Sequence, residues 1–250
     1  MLILLSGTKN SGKSLCTTFL AERGWHSFSF AKALKDLIAK VYELSTEEKK
    51  LLDGLTPQAR EWKEQKNRKF TPLNHESSWS PIVLLEVLEE LFFYDTKFDL
   101  FSACVQLEEL LQEHLYPFNL SPREALQIIG TDIFRTISED VWIDQIDLAY
   151  LDELGNEIPN ISTLLSENQN VIISDCRFKN EFDWAKELGG YLIFIERPVN
   201  TQTDRHVSEN LHELKSLADS VLINDGNPED LKANLLFLLE KYECTKHPKR

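Results

Sequence analysis

Residues 7–14 read Gly-Thr-Lys-Asn-Ser-Gly-Lys-Ser, the spacing G-x-x-x-x-G-K-S. The chemistry such a run can do is anion capture. Its glycines let the backbone turn tightly and aim successive N–H groups at phosphate oxygens. A helix starting directly afterwards adds the positive potential of its N-terminus. On this reading the main chain of Gly7, Lys9, Asn10, Ser11 and Gly12 cradles a triphosphate. Lys13 reaches the terminal phosphates and the Ser14 hydroxyl holds Mg²⁺. An ordinary Gly/Ser turn is the plainer alternative. The apolar run 2–5 before the loop and the helix-competent stretch 15–22 after it supply the strand–turn–helix frame that the phosphate reading requires.

A second group follows the apolar run 171–174: Asp175, Arg177 and, four residues further on, Glu181. A carboxylate at a strand end beside a cation suits phosphoryl transfer, which must position a metal and offset phosphate charge. If a helix starts here, Arg177 and Glu181 share one of its faces. The competing reading is a surface ion pair capping that helix. A third group runs from Gln127 to Arg135, with Gly130 interrupting a helical apolar pattern and Arg135 projecting past the break. A planar guanidinium can hold a phosphate bidentately, although Arg135 taken alone reads as a surface arginine. Phe30 could stack on a base or belong to the core, and Lys35 could meet a phosphate or be solvated.

These groups need strands and helices to bring them together. Runs 2–5, 171–174 and 191–195, with the shorter 220–223, are apolar on both faces, as strands of a helix-covered parallel sheet are. Ser45 with Glu48 and Ser121 with Glu124 have capping-box spacing, the second with Pro122 at the first helical position. Asn227-Pro228-Glu229-Asp230 opens a last helix by the same logic. The expected fold is α/β: a three-layer α/β/α P-loop arrangement with a mostly parallel sheet and a helical insertion. Residues 1–250 form one domain. Residues 45–120, without a clear strand, are read as a helical insertion between the first and second core strands that could cover the site. Their basic cluster (Arg60, Lys63, Lys66, Arg68, Lys69) reads as a solvated helix face.

Bulk composition narrows the function classes. The formal net charge is −14 over 250 residues, which disfavours a grip on a nucleic acid polymer but leaves a local phosphate site open. Four cysteines (Cys16, Cys104, Cys176, Cys244) are scattered without CxxC spacing, so neither a disulfide framework nor a zinc site is expected and a reducing cytoplasm fits. No stretch approaches the roughly 18 uninterrupted apolar residues of a membrane span.

Taken together, the clusters resemble the bacteriophage deoxynucleoside monophosphate kinase family. The resemblance rests on Leu5-Ser6-Gly7 through Gly12-Lys13-Ser14, Phe30-Ala31 with Leu34-Lys35, and Leu126-Gln127. It continues with Gly130-Thr131-Asp132 leading to Arg135, Trp142, Asp175-Cys176-Arg177 with Glu181, and Arg197-Pro198. It ends with His206, Ser208-Glu209 and Asn224-Asp225-Gly226. It spans nearly the whole chain in order, with 45–120 matching poorly. It implies transfer of the ATP γ-phosphate to a deoxynucleoside 5′-monophosphate, with ATP and Mg²⁺ as cofactors. Lys13 and Ser14 would hold ATP and the metal, joined by Arg197 and Asn224 on the donor side. Arg135 and Arg177 would clamp the acceptor phosphate and the migrating phosphoryl group. Asp175 would orient the metal or the acceptor, and Glu181 would support it. Phe30, Lys35, Gln127 and Trp142 would line the acceptor side. From the residues alone Trp142 reads as core, Asn224-Asp225-Gly226 as a turn, and His206 as a capping or core histidine. The implied setting is cytoplasmic (the host cytoplasm if the chain is phage-encoded), as a monomer or homodimer acting on small nucleotides without a membrane.

Two other readings compete. One is a P-loop kinase with a non-nucleotide acceptor of the phosphomevalonate or dephospho-coenzyme A type. The other is an ATPase switch module. It would want a second acidic residue beside Asp175, where Cys176 stands.

Overall fold

The structure, a computed structural model, describes residues 1–41, 44–54, 56–64, 89, 99–114, 121–148, 150–151, 157–198 and 211–246. Much of 45–120, including Lys66, Arg68 and Lys69, lies outside the described residues, as do His206, Ser208 and Glu209. The chain divides into two compact units: Met1–Ser29 with Asp147–Arg250, and Phe30–Ile146.

The first unit carries a five-stranded sheet in the order β2-β5-β1-β6-β7. Its strands are β1 (Leu2–Ser6), β2 (His26–Phe28), β5 (Val171–Ile173), β6 (Tyr191–Glu196) and β7 (Ser220–Ile223). Every neighbouring pair is parallel. A two-residue-per-strand hairpin, β3 (Tyr150–Leu151) with β4 (Glu157–Ile158), stands apart from it. Four of the sheet strands coincide with the apolar runs of the sequence. The fifth, β2, is only three residues long and carries His26 and an exposed Ser27, so no apolar run marks it. The helical segment therefore enters the chain after the second sheet strand, where the sequence placed it after the first.

Chain direction dictates the layers. From β1 the chain crosses leftward to β2, and from β5 it crosses rightward to β6. Right-handed crossovers in opposite directions must put their helices on opposite faces. Accordingly the helix Lys13–Ala21 packs with the closing helix Pro228–Lys246, while the helix Lys179–Glu187 packs on β1 and β6 beside His212–Leu217. Alternation along β1 serves both faces. Ile3 and Leu5 join Cys16, Phe19, Leu20, Leu231, Leu235 and Leu239 in one buried cluster. Leu4 points to the other face, where a Cβ added at Gly190 would come within 2.8 Å of it. Each fully buried Leu or Ile here contributes about 1.5–3 kcal/mol.

The second unit is helical among its described residues: Lys32–Val41, Thr46–Leu51, Pro57–Glu64, Leu100–His114, Pro122–Gln127, Phe134–Ile137 and Val141–Ile146. Both expected capping boxes form. Ser45 Oγ accepts from Glu48 N at 3.3 Å while Ser45 N donates to Glu48 Oε2 at 3.1 Å. Ser121 Oγ accepts from Glu124 N at 3.2 Å, and Ser121 N donates back to Glu124 Oε2 at 2.8 Å. Such caps are worth about 0.5–2 kcal/mol each. In the first unit, Asn227 Oδ1 caps the closing helix by accepting from Glu229 N and Asp230 N at 2.8 and 3.1 Å. Among the described residues no helix is long and apolar enough to cross a membrane.

Candidate active site

Parallel strands end on the same edge. The residues that follow β1, β2, β5, β6 and β7 are Gly7, Ser29, Ser174-Asp175, Arg197 and Asn224, so the sheet gathers every candidate of the first unit at one edge. Open α/β sheets bind ligands there.

The loop after β1 is shaped by two forces. Gly7 (φ 138°), Asn10 (φ 62°) and Gly12 (φ 115°) take conformations that side chains disfavour. Packing adds a second demand, because a Cβ on Gly7 would stand 2.3 Å from the Ile195 carbonyl oxygen. The loop is pressed against β6, and only glycine fits. Lys13 opens the following helix, and its Nζ donates across the loop to Gly7 O, to Thr8 O at 2.8 Å and to Ser11 Oγ at 3.5 Å. Ser14 is exposed in the first helical turn, which holds no acidic residue to compete for an anion. Lys9 is half-buried and Arg197 is exposed just past β6.

The segment after β5 is held just as firmly. Cys176 N donates to Leu5 O at 3.1 Å, extending the ladder past Ile173. Glu181, 2 % exposed, turns back so that its Oε2 accepts from Arg177 N at 2.7 Å and Phe178 N at 3.1 Å. The helix starts only at Lys179. Arg177 and Glu181 thus meet through the Arg177 main chain, ahead of the helix. A buried carboxylate without donors would cost several kcal/mol, and two charge-assisted bonds hold both it and the turn in place. Glu181 is a positioning residue by this geometry. Cys176, between Asp175 and Arg177, is buried. That burial, then the carboxylates of Glu181 and Asp175, push its thiol well above the ordinary range, so it stays a neutral spacer.

Sequence reasoning missed Ser29. Its hydroxyl donates to Asp175 Oδ2 at 2.7 Å, fixing one carboxylate oxygen in place. The signal was there only in principle: Ser29 follows β2, the strand without an apolar run. Asn224 meets the phosphate loop through its side chain. It is 8 % exposed and its Nδ2 donates to Ser11 O at 2.7 Å, so it lies under the phosphate loop.

In the helical unit, Gly130 does not end the helix. The backbone widens into a π-helix over Ile128–Ile133, between Pro122–Gln127 and Phe134–Ile137. Such wide turns recur at functional sites. Trp142 fixes this one: its Nε1 donates to Gly130 O at 2.9 Å and its ring stacks on Phe134 at 5.5 Å between centroids. Trp142 is 4 % exposed, which makes it core, as its residue type suggested. Leu34 fills the space above Gly130, where a Cβ would stand 2.4 Å from its Cδ2. Gln127 and Arg135 flank the π-turn, both half-buried. Phe30 is 3 % exposed and belongs to the buried core. Lys35 Nζ pairs with Asp53 Oδ1 at 2.7 Å in a solvent-exposed ion pair. Lys63 of the basic cluster donates to Leu52 O at 2.8 Å.

Residues 1–235 match the sequence profile of the deoxynucleotide monophosphate kinases. The chain belongs to this family. It is 24% identical to the deoxynucleotide monophosphate kinase of Escherichia phage RB69, over 94% of this chain and 97% of that one. It is likewise 24% identical to the enzyme of the same name from Enterobacteria phage T4, over 92% and 95%. A protein of Acanthamoeba polyphaga mimivirus assigned to the same kinases is 32% identical over 60% of this chain and 84% of its own length. As a member of this kinase family the chain is a phosphotransferase with a nucleoside triphosphate substrate, working on small nucleotides.

Proposed function

We propose that the chain transfers the γ-phosphate of ATP to deoxynucleoside 5′-monophosphates, giving diphosphates, with Mg²⁺ bound to the donor. The observation that carries this reading is the shared strand-end edge, where the Gly7–Ser14 loop and the Ser29-oriented Asp175 both emerge. Ser14 and Asp175 offer a hydroxyl and a carboxylate, hard oxygen donors of the kind Mg²⁺ takes, so the residues present fit the metal. When bound, the ion neutralises phosphate charge and orients the transferring group.

The chain's own residues account for the rest. Lys13 follows charge onto the outgoing phosphoryl oxygens by exchanging its loop carbonyls for them. Asp175, with one oxygen held by Ser29 at 2.7 Å, would place its carboxylate toward the metal or the acceptor. Arg177, whose main chain Glu181 pins, supplies a guanidinium against phosphate, and Arg135 is the second guanidinium of this proposal. The acceptor phosphate is largely ionised at neutral pH, so no strong general base is needed. Alignment and charge cancellation do the catalysis. Family membership favours a nucleotide acceptor over the phosphomevalonate and dephospho-coenzyme A types. The absence of a second carboxylate beside Asp175 weighs against a water-activating ATPase.

A coupled ADP-release assay tests the proposal. Each of the four deoxynucleoside monophosphates is offered with ATP and Mg²⁺, beside ribonucleotides and a no-acceptor control. Release stimulated by one or more deoxynucleotides is expected. Release indifferent to every monophosphate would sink the acceptor assignment.

A further inference from the structure

Asn224 was expected on the donor side as a contact to the nucleotide itself. Its surroundings point elsewhere. The main chain is fixed, because Asn224 N donates to Glu196 O at 2.7 Å. The side chain is buried, and one of its amide hydrogens is committed to Ser11 O at 2.7 Å, across 213 residues of sequence. A group so enclosed has little surface to offer a base.

The bond to Ser11 O has a geometric consequence. Ser11 O and Gly12 N–H belong to one peptide unit, which is planar and trans, so the carbonyl and the N–H point in opposite directions. Holding the carbonyl toward Asn224 turns the Gly12 N–H away from it. Gly12 is seated on the same side chain: a Cβ there would stand 2.8 Å from Asn224 Nδ2 and 2.7 Å from Leu231 Cδ2. Among the described residues the other bonds at Ser11 and Gly12 go to neighbouring groups, Lys13 Nζ to Ser11 Oγ at 3.5 Å and Cys16 N to Gly12 O at 3.1 Å. Ser11 N bonds within the loop to Thr8 O at 3.2 Å, and Gly12 takes a φ open to many orientations.

We propose that Asn224 is a positioning residue for the phosphate loop: it sets the Ser11–Gly12 peptide and so presents the Gly12 N–H to the triphosphate chain, whatever base that chain carries. This rests on the nucleoside triphosphate reading above. The specificity it confers is for polyphosphate over other ligands, with no part in choosing adenine.

The test is calorimetric titration of the full chain with inorganic tripolyphosphate, ATP, GTP and a deoxynucleoside monophosphate, each alone. Asn224→Ala and Asn224→Leu are compared with the native protein, the second keeping most of the side-chain volume. Losing this bond should raise Kd for tripolyphosphate, ATP and GTP by one common factor of about ten, with the monophosphate Kd unchanged. Variants that bind tripolyphosphate like the native protein would overturn the proposal while leaving the kinase reading intact. So would a loss confined to ATP, which would mark a base contact. A native protein that binds none of the three polyphosphates would end both. The native protein gives a readout without substitution: the Asn224 side-chain amide resonances should shift alike with tripolyphosphate, ATP and GTP, and a shift seen with ATP alone would contradict the assignment.

Discussion

The phosphate-loop edge and the π-turn of the helical unit solve the same problem in different ways. Both must hold a backbone in a shape that polar main-chain groups resist. At the sheet edge the supports come from distant sequence: Ile195 beneath Gly7, Asn224 beneath Ser11, Leu5 beside Cys176, and Ser29 against Asp175. Around Gly130 the Trp142 and Phe134 supports lie within a dozen residues, with Leu34 closing the space above. A parallel sheet can assemble a site from five separate strand ends because its ladder fixes them all. A helical unit has no such ladder and uses one wide turn, buttressed by one indole, to place Gln127 and Arg135.

The largest expected effects separate the two regions by ligand. Lys13→Ala should lower turnover by at least about 100-fold, as loss of a charged transition-state partner does, with circular dichroism unchanged. Arg135→Ala should instead raise the acceptor KM by about ten-fold or more, leaving donor binding alone. Steady-state kinetics with both substrates varied decides the matter, and a donor KM that moves with Arg135 would erase the division.

Glu181→Ala comes next. It strips the partner from the Arg177 and Phe178 amides, and should cost about 3 kcal/mol in a urea titration together with a fall in kcat. Unchanged stability would mean the turn after β5 holds itself. Gly130→Ala tests the other region. The new Cβ meets Leu34, and the overpacking should cost about 1–3 kcal/mol. In a double-mutant cycle with Leu34→Ala the two losses should be less than additive, because the collision disappears with the leucine.

The smallest effect is one of pH. Burial pushes the Cys16 thiol up to about 12 from 9.0, and raises Cys176 in the same direction. The folded state holds these protons more tightly than the unfolded chain does. Their contribution to stability is therefore complete below the unfolded value near 9.0 and is lost as pH climbs toward about 12. The urea midpoint should show no loss from this source between about pH 7 and pH 8.5 and a decline above pH 9. Cys16→Ala should flatten part of that decline.

What the sequence determined by itself was local. The G-x-x-x-x-G-K-S spacing, the apolar runs of β1, β5, β6 and β7, and the Ser45, Ser121 and Asn227 caps each depend on residues a few positions apart. Near neighbours in the chain are near neighbours in space, so such patterns can be read directly. The tertiary structure alone decided that Ser29 orients Asp175, that Glu181 serves the main chain of Arg177, that Asn224 lies beneath the loop, and that Gly130 opens a π-turn instead of ending a helix. Each of those depends on what the rest of the fold presses against a residue. A serine hydroxyl or an asparagine amide carries no mark of the partner it will meet until the strands have been laid side by side.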